Sequence, residues 1–170
     1  MSPFCKPVIL DNNCISNFHY AESLKSILAL WPAGTFKIPQ HVVAEAARWH
    51  EHGEEVCKII KELADSCIVE IISIDDKSDD EVNAYMQLKL AAPVLGDGES
   101  ESIAIASNRN HIVATDDGIA TERCNTMFPS VEVITTADIF KMAKSDGLLQ
   151  ESQINKMWRL IKQKRRKANI

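Results

Sequence analysis

No stretch of this sequence comes near the roughly 20 consecutive apolar residues that a membrane-spanning helix needs. The opening MSPFCKPVILD is interrupted by Asp11 before the apolar core of a secretory signal can form. The expectation is a cytoplasmic protein with no membrane attachment. The five cysteines (Cys5, Cys14, Cys57, Cys67, Cys124) are odd in number and include no CxxC pair. That argues against a zinc knuckle or a disulfide framework and for buried or idle thiols in a reducing compartment. There is no HExxH, no Walker loop and no GxSxG, which removes the commonest signatures of zinc proteases, P-loop nucleotide hydrolases and serine hydrolases. Internal repeats, low-complexity segments and a domain-splitting linker are also absent. Arg48-Trp49-His50-Glu51-His52 has the look of a metal cluster, but histidines two apart on a helix point to different faces. The expectation there is a polar helix end.

What is present suits one globular domain, with 45% hydrophobic residues to fill a core. Charge is unevenly placed. Seven of the 19 basic residues (Lys156, Arg159, Lys162, Lys164, Arg165, Arg166, Lys167) fall in the last fifteen positions, which hold no acid. Residues 1–155 are left with 12 bases against 24 acids. An acidic body with a basic tail can bring phosphates or an acidic partner to one end, although a solvated helix end has the same composition.

Short apolar runs alternate with helical patterns. Pro7-Val8-Ile9-Leu10 reads as a buried strand ending at Asp11, and a helical stretch from Ile15 through Phe18, Leu24, Ile27 and Leu28 to Leu30 follows, broken at Trp31-Pro32-Ala33-Gly34. Phe36-Lys37-Ile38 is a brief strand, after which Pro39 opens a helix through Val42, Val43 and Ala46 to about His50, and Glu54 to Asp65 is another. Cys67 to Ile74 is β-branched and extended, and Ser78 caps a helix to Leu90. Glu99 to Asn108 is helical, His111 to Thr115 is a strand closing on Asp116 and Asp117, and a short helix leads to the last strand, Val131 to Ile134. Thr136 caps Ala137 to Lys144, and a final helix from Glu151 carries Ile154, Met157, Trp158 and Ile161 on one face, as packing rather than a base-stacking platform. This alternation predicts an α/β fold with a parallel sheet covered on both sides.

Ligands of such sheets bind beyond the carboxyl ends of the strands. Asp11 ends the first strand there, and Asp116 and Asp117 end the fourth. Glu99 and Glu101 lie in the first turn of the helix that feeds that strand, and Glu45 sits in the helix after the second. Carboxylates gathered in one crevice repel one another, and the usual remedy is a hard divalent cation. Mg²⁺ or Mn²⁺ suits an all-oxygen set better than zinc. Each acid taken alone is equally well explained as a helix cap or a solvated face.

The segments carrying these acids resemble the motifs of PIN-domain nucleases. Val8-Ile9-Leu10-Asp11-Asn12-Asn13 resembles the first, and Ile38-Pro39-Gln40-His41-Val42-Val43-Ala44-Glu45 the second. Leu95-Gly96-Asp97-Gly98-Glu99-Ser100-Glu101-Ser102-Ile103-Ala104-Ile105-Ala106 is similar to the form found in a toxin-like branch, and Ile112-Val113-Ala114-Thr115-Asp116-Asp117 resembles the fourth motif. The resemblance implies a three-layer α/β/α fold with a central parallel sheet of four to five strands. It implies a PIN-like nuclease domain over residues 1–148, with a basic C-terminal helix or tail over 149–170.

The activity implied is divalent-metal-dependent hydrolysis of single-stranded RNA by an endoribonuclease, with Mg²⁺ or Mn²⁺ as cofactor. The role implied is the toxin of a toxin–antitoxin pair, with an antitoxin protein and a second copy of the chain as partners. Asp11, Glu45, Glu101 and Asp117 would be catalytic. Glu99 and Asp116 stand as rival ligands, although spacing favours Glu101 and Asp117. Asn13 and Thr115 would orient ligands or water, and Arg123, Lys162, Lys164, Arg165 and Arg166 would draw in the RNA backbone. The competing expectations are a PIN-like module that binds RNA or protein without cutting, and a nuclease acting on DNA.

Overall fold

A computed structural model describes residues 4–49 and 51–168, so His50 lies outside the described residues. Five strands, β1 (Val8–Leu10), β2 (Phe36–Pro39), β3 (Val69–Ile72), β4 (Ile112–Ala114) and β5 (Val133–Ile134), form one sheet in the order β3-β2-β1-β4-β5, with every neighbouring pair parallel. Every residue of β1 and β4 is buried, because a parallel sheet is covered on both faces. Alternation sorts these side chains between two cores. Val8 and Leu10 face one cluster with Phe18, Phe36 and Phe140, while Ile9 and Val113 face another with Leu88, Ile103 and Ile105.

The first cluster is closed by α1 (Asn12–Tyr20), α2 (Leu24–Leu28), α3 (Gln40–Ala46), α4 (Gly53–Asp65), α8 (Thr136–Ser145) and α9 (Glu151–Ala168). The second is closed by α5 (Asp79–Leu90), α6 (Asp97–Arg109) and α7 (Gly118–Met127). This is the expected three-layer α/β/α arrangement with five parallel strands. Ile154 and Ile161 of α9 belong to the first cluster, and Trp158 meets Phe140 edge-on at 5.2 Å, so this tryptophan packs against the body. Among the described residues, no helix is long and apolar enough to cross a membrane.

Two local expectations are corrected. The helical stretch from Ile15 to Leu30 is two helices, separated by a C-terminal lock in which Ser23 N–H donates to Phe18 C=O at 3.0 Å and Glu22 N–H to His19 C=O at 2.9 Å. This hydrogen-bond pair normally ends a helix on a left-handed glycine. Here Glu22 takes that position, with φ of 55°, so the sequence carries no breaker. The core spacing of Phe18, Leu24 and Ile27 survives the break, which is why the pattern reads as continuous. The cap of α8 is Thr135 rather than Thr136. Its hydroxyl accepts from Asp138 N–H at 3.2 Å, and the Asp138 carboxylate accepts from Thr135 N–H at 3.0 Å. Thr136 is instead fully buried and turned toward Asp116.

Candidate active site

The chain proceeds from β1 outward to β2 and β3 and then returns to place β4 on the other side of β1. That reversal opens a crevice at the carboxyl ends of β1 and β4, and both strands run directly into acids. Asp11 leaves β1 as the N-cap of α1, with Oδ1 accepting the Asn13 N–H at 3.2 Å and Oδ2 accepting the Thr115 hydroxyl. Asp117 leaves β4 as the N-cap of α7, with Oδ1 accepting the Ala120 N–H at 2.8 Å. Its own N–H donates to Thr115 Oγ1 at 3.1 Å. The Thr115 hydroxyl, itself buried, therefore ties the two strand ends together. Asn13 holds Asp11 through its backbone N–H.

Glu45 and Glu99 reach the crevice from α3 and α6. Gly98 N–H donates to Glu45 Oε1 at 2.9 Å, and Gly96 N–H donates to Glu99 Oε2 at 3.0 Å. A Cβ placed on Gly96 would lie 3.4 Å from Glu45 Oε1 and 3.5 Å from Glu99 Oε2, so both carboxylates crowd one point. Burial pushes the Glu99 carboxyl above its ordinary pKa, and the charges of Asp11, Asp117 and Glu45 each push it further, against the Gly96 hydrogen bond. Asp11 is raised as well, first by burial and then by Glu45, while Thr115 and Asn13 pull it back. Four carboxylates from four segments thus share one electrostatic site.

The other two candidate acids are committed elsewhere. Glu101 is buried, with Oε2 accepting the His41 N–H at 2.8 Å and standing 3.0 Å from His41 Nδ1, and with Oε1 accepting the Ile74 N–H at 3.4 Å. It ties the first turn of α3 to the chain leaving β3. Asp116 accepts from Asn17 Nδ2 at 2.7 Å, from Thr136 N–H at 3.1 Å and from the Thr136 hydroxyl, joining α1 to the start of α8. Glu99 and Glu101 are two residues apart on one helix and so point to different faces. Asp116 and Asp117 follow the end of β4 at Ala114, and Asp117 is extended, so the two adjacent side chains point opposite ways.

The basic candidates are dispersed. Arg123 donates from Nη2 to the carbonyls of Ala92 and Pro93, at 2.7 and 3.2 Å, and holds the α5–α6 loop. Lys164 pairs with Glu22 at 3.0 Å. Arg165 Nε donates to Asn17 Oδ1 at 2.9 Å, which leaves this guanidinium one amide away from Asp116. Lys162 and Arg166 are exposed.

Two features went unassigned in the sequence. Asn17 links Arg165 to Asp116, and no spacing announces it. The glycines of Leu95-Gly96-Asp97-Gly98 let Glu45 approach α6, since a Cβ on Gly98 would stand 2.9 Å from both Glu45 Oε2 and Val42 Cγ2. Their signal was two glycines bracketing the first turn of an acid-bearing helix. Gly98→Ala is expected to displace Glu45 and weaken divalent-metal binding about tenfold. Alanine's better helix propensity offsets only part of the clash with the buried Val42 methyl, so a loss of about 1–3 kcal/mol of stability is expected as well. Isothermal titration with Mn²⁺ and a thermal melt check the two halves separately.

The structure is thus an α/β protein with a doubly wound parallel sheet and a crevice of carboxylates at its switch point. The donor set fits a hard divalent cation, since every side-chain donor is oxygen and the acids repel one another as they stand. A family model for PIN domains matches residues 7–169, and the chain belongs to that family. Members are generally nucleases and typically bind divalent metals. A search of curated proteins gives no match.

Proposed function

We propose that the protein is a divalent-metal-dependent endoribonuclease in which Asp11, Glu45, Glu99 and Asp117 hold Mg²⁺ or Mn²⁺. The observation that carries this reading is the convergence of those four carboxylates: Thr115 ties Asp11 to Asp117, Glu45 and Glu99 meet beside Gly96, and Glu99 feels the charge of the other three. Sequence spacing favoured Glu101 as the third acid. Its two oxygens are occupied by backbone N–H groups of α3 and the β3 exit, which favours Glu99.

Bound metal would supply charge for a phosphate oxygen and acidity for the attacking water. The chain's own residues do the positioning. Thr115 fixes the spacing of Asp11 and Asp117, and the Gly96 and Gly98 N–H groups aim Glu99 and Glu45. A cleft of about 500 Å³ beside Asp116, lined by Thr115, Gly118, Thr121, Asn125 and Thr135, is within the range of ligand pockets and offers hydroxyls and an amide to a nucleotide. Arg165, held beside Asp116 by Asn17, stands where it can draw a phosphate backbone toward an otherwise acidic surface. The toxin-like form of residues 95–106 supports a role as the toxin partner of a small antitoxin protein.

The test is cleavage of labelled single-stranded RNA and DNA with Mg²⁺, Mn²⁺ or EDTA. RNA cutting that EDTA stops is expected; cutting of DNA alone would replace the substrate assignment. A paired comparison separates the third acid. Glu99→Gln is expected to lose cleavage about a hundredfold or more while raising metal-free stability by about 1 kcal/mol, since a like charge is removed. Glu101→Gln is expected to lower stability by about 1–3 kcal/mol through the weakened His41 contact. The reverse pattern would return the ligand role to Glu101.

A further inference from the structure

At the far end of α1 from Asp11, eight residues or about 12 Å along the helix, lies a second set of metal-competent side chains. His19 is in the last turn of α1, His52 is the residue preceding α4, and Glu55 is in the first turn of α4. Among the described residues, these are the one group of three or more His, Cys, Asp or Glu whose ligand atoms all come within 4.8 Å of one another. His19 Nε2 stands 3.9 Å from Glu55 Oε2, and the two imidazole rings are 4.9 Å apart. Four ligands at about 2.0–2.1 Å around a tetrahedral ion stand about 3.4 Å from one another, so a small closure completes the set. Glu55, with a side chain 66% exposed, is free to make it.

The surroundings suit a cation held by imidazole. The His19 ring is largely covered, and the His52 ring stands beside it. Tyr20 and Trp49 stack 6.3 Å apart; Tyr20 contacts both imidazole rings and Trp49 the His19 ring, which limits their swing. The three residues line a cavity of about 660 Å³ open to water, which leaves a fourth position for solvent. The neighbouring cation, Lys164, is paired to Glu22 at 3.0 Å, so its charge is offset locally. Neither histidine makes a hydrogen bond through its ring among the described residues.

We propose that His19, His52 and Glu55 form a transition-metal site of the zinc type, separate from the carboxylate crevice, with water as the remaining ligand. Bound metal would staple the C-terminal end of α1 to the N-terminal end of α4. Two nitrogens and one oxygen favour Zn²⁺, Co²⁺ or Ni²⁺ over Mg²⁺, which demands oxygen donors. The site rests on its own geometry and stands whether or not the crevice cuts RNA.

The experiment uses the Asp11→Asn protein, so that the crevice is disabled, and titrates it with Co²⁺ while recording visible absorption, then with Zn²⁺ in competition. One equivalent is expected to give a ligand-field spectrum of tetrahedral or five-coordinate type without a thiolate charge-transfer band, displaced by Zn²⁺ and unaffected by excess Mg²⁺. Zn²⁺ at about a hundred times its Kd is expected to raise the melting temperature by about 5–10 °C. Adding His52→Ala or, separately, the exposed Glu55→Gln is expected to weaken Co²⁺ binding at least tenfold with the metal-free melt unchanged. Unchanged Co²⁺ affinity in both variants, or a thiolate band in the parent spectrum, would overturn the site.

Discussion

Asp11→Asn is expected to reduce metal-dependent cleavage of single-stranded RNA about a thousandfold or more, the equivalent of roughly 4 kcal/mol of transition-state stabilisation. The size follows from its position. Asp11 is 2% exposed, is fixed on one oxygen by Thr115 and on the other by Asn13 N–H, and shares its charge with Glu45 and Glu99. Asparagine keeps the shape and one acceptor and loses the charge. The metal-free fold should therefore not suffer. A carboxyl whose pKa is raised on folding binds its proton more tightly in the native state. Its contribution therefore falls as pH rises from its unfolded value, 3.8, through the higher folded value, and the cost persists above that. Metal-free Asp11→Asn is expected to melt at or above the wild type at neutral pH, while losing the stabilisation that Mn²⁺ gives the wild type. Single-turnover cleavage and melts with and without Mn²⁺ measure both. Full activity in the variant would end the carboxylate mechanism.

Glu81→Gln is expected to cost about 2–3 kcal/mol, lowering the melting temperature by roughly 5–10 °C, with no direct effect on the crevice. Glu81 is 4% exposed and receives Arg109 on both oxygens, Nε to Oε1 at 2.6 Å and Nη2 to Oε2 at 2.8 Å, while Asp75 N–H donates to Oε2 at 2.9 Å. Arg109 also reaches Ser73 C=O at 2.8 Å, so this pair anchors the exit of β3 between α5 and α6. The Arg109 hydrogen bond holds the Glu81 carboxyl below its usual range. Stability from this group is thus present in full above 4.5, its unfolded value, and is lost as pH falls through the lower folded value. The gap between wild type and variant should be widest near about pH 7 and narrow toward about pH 3. A constant gap across that range would remove the ion pair as its cause.

Much of this was legible in the chain. The alternation of short β-branched runs with helical spacings gave the parallel three-layer fold, because a strand buried on both faces has little freedom in composition. The strand ends put Asp11 and the Asp116-Asp117 pair beside the crevice, and chain order with the switch-point rule was enough to say so. Local signals failed where the deciding contact was remote or the residue unusual. Glu22 ends α1 from a left-handed conformation that glycine normally marks, and Ser23 closes it through a backbone hydrogen bond.

Sequence alone therefore determined the architecture, the neighbourhood of the acids and their all-oxygen chemistry, since these follow from periodicity and residue type. Tertiary structure decided which acid of each pair faces the others. Glu101 was captured by the first turn of α3 and Asp116 by Asn17 and Thr136, partners 20 to 99 positions away. It likewise brought His19 to His52 across two helices, a meeting no spacing encodes. A side chain's direction is set by local backbone, but its partner is set by whichever element the fold packs opposite.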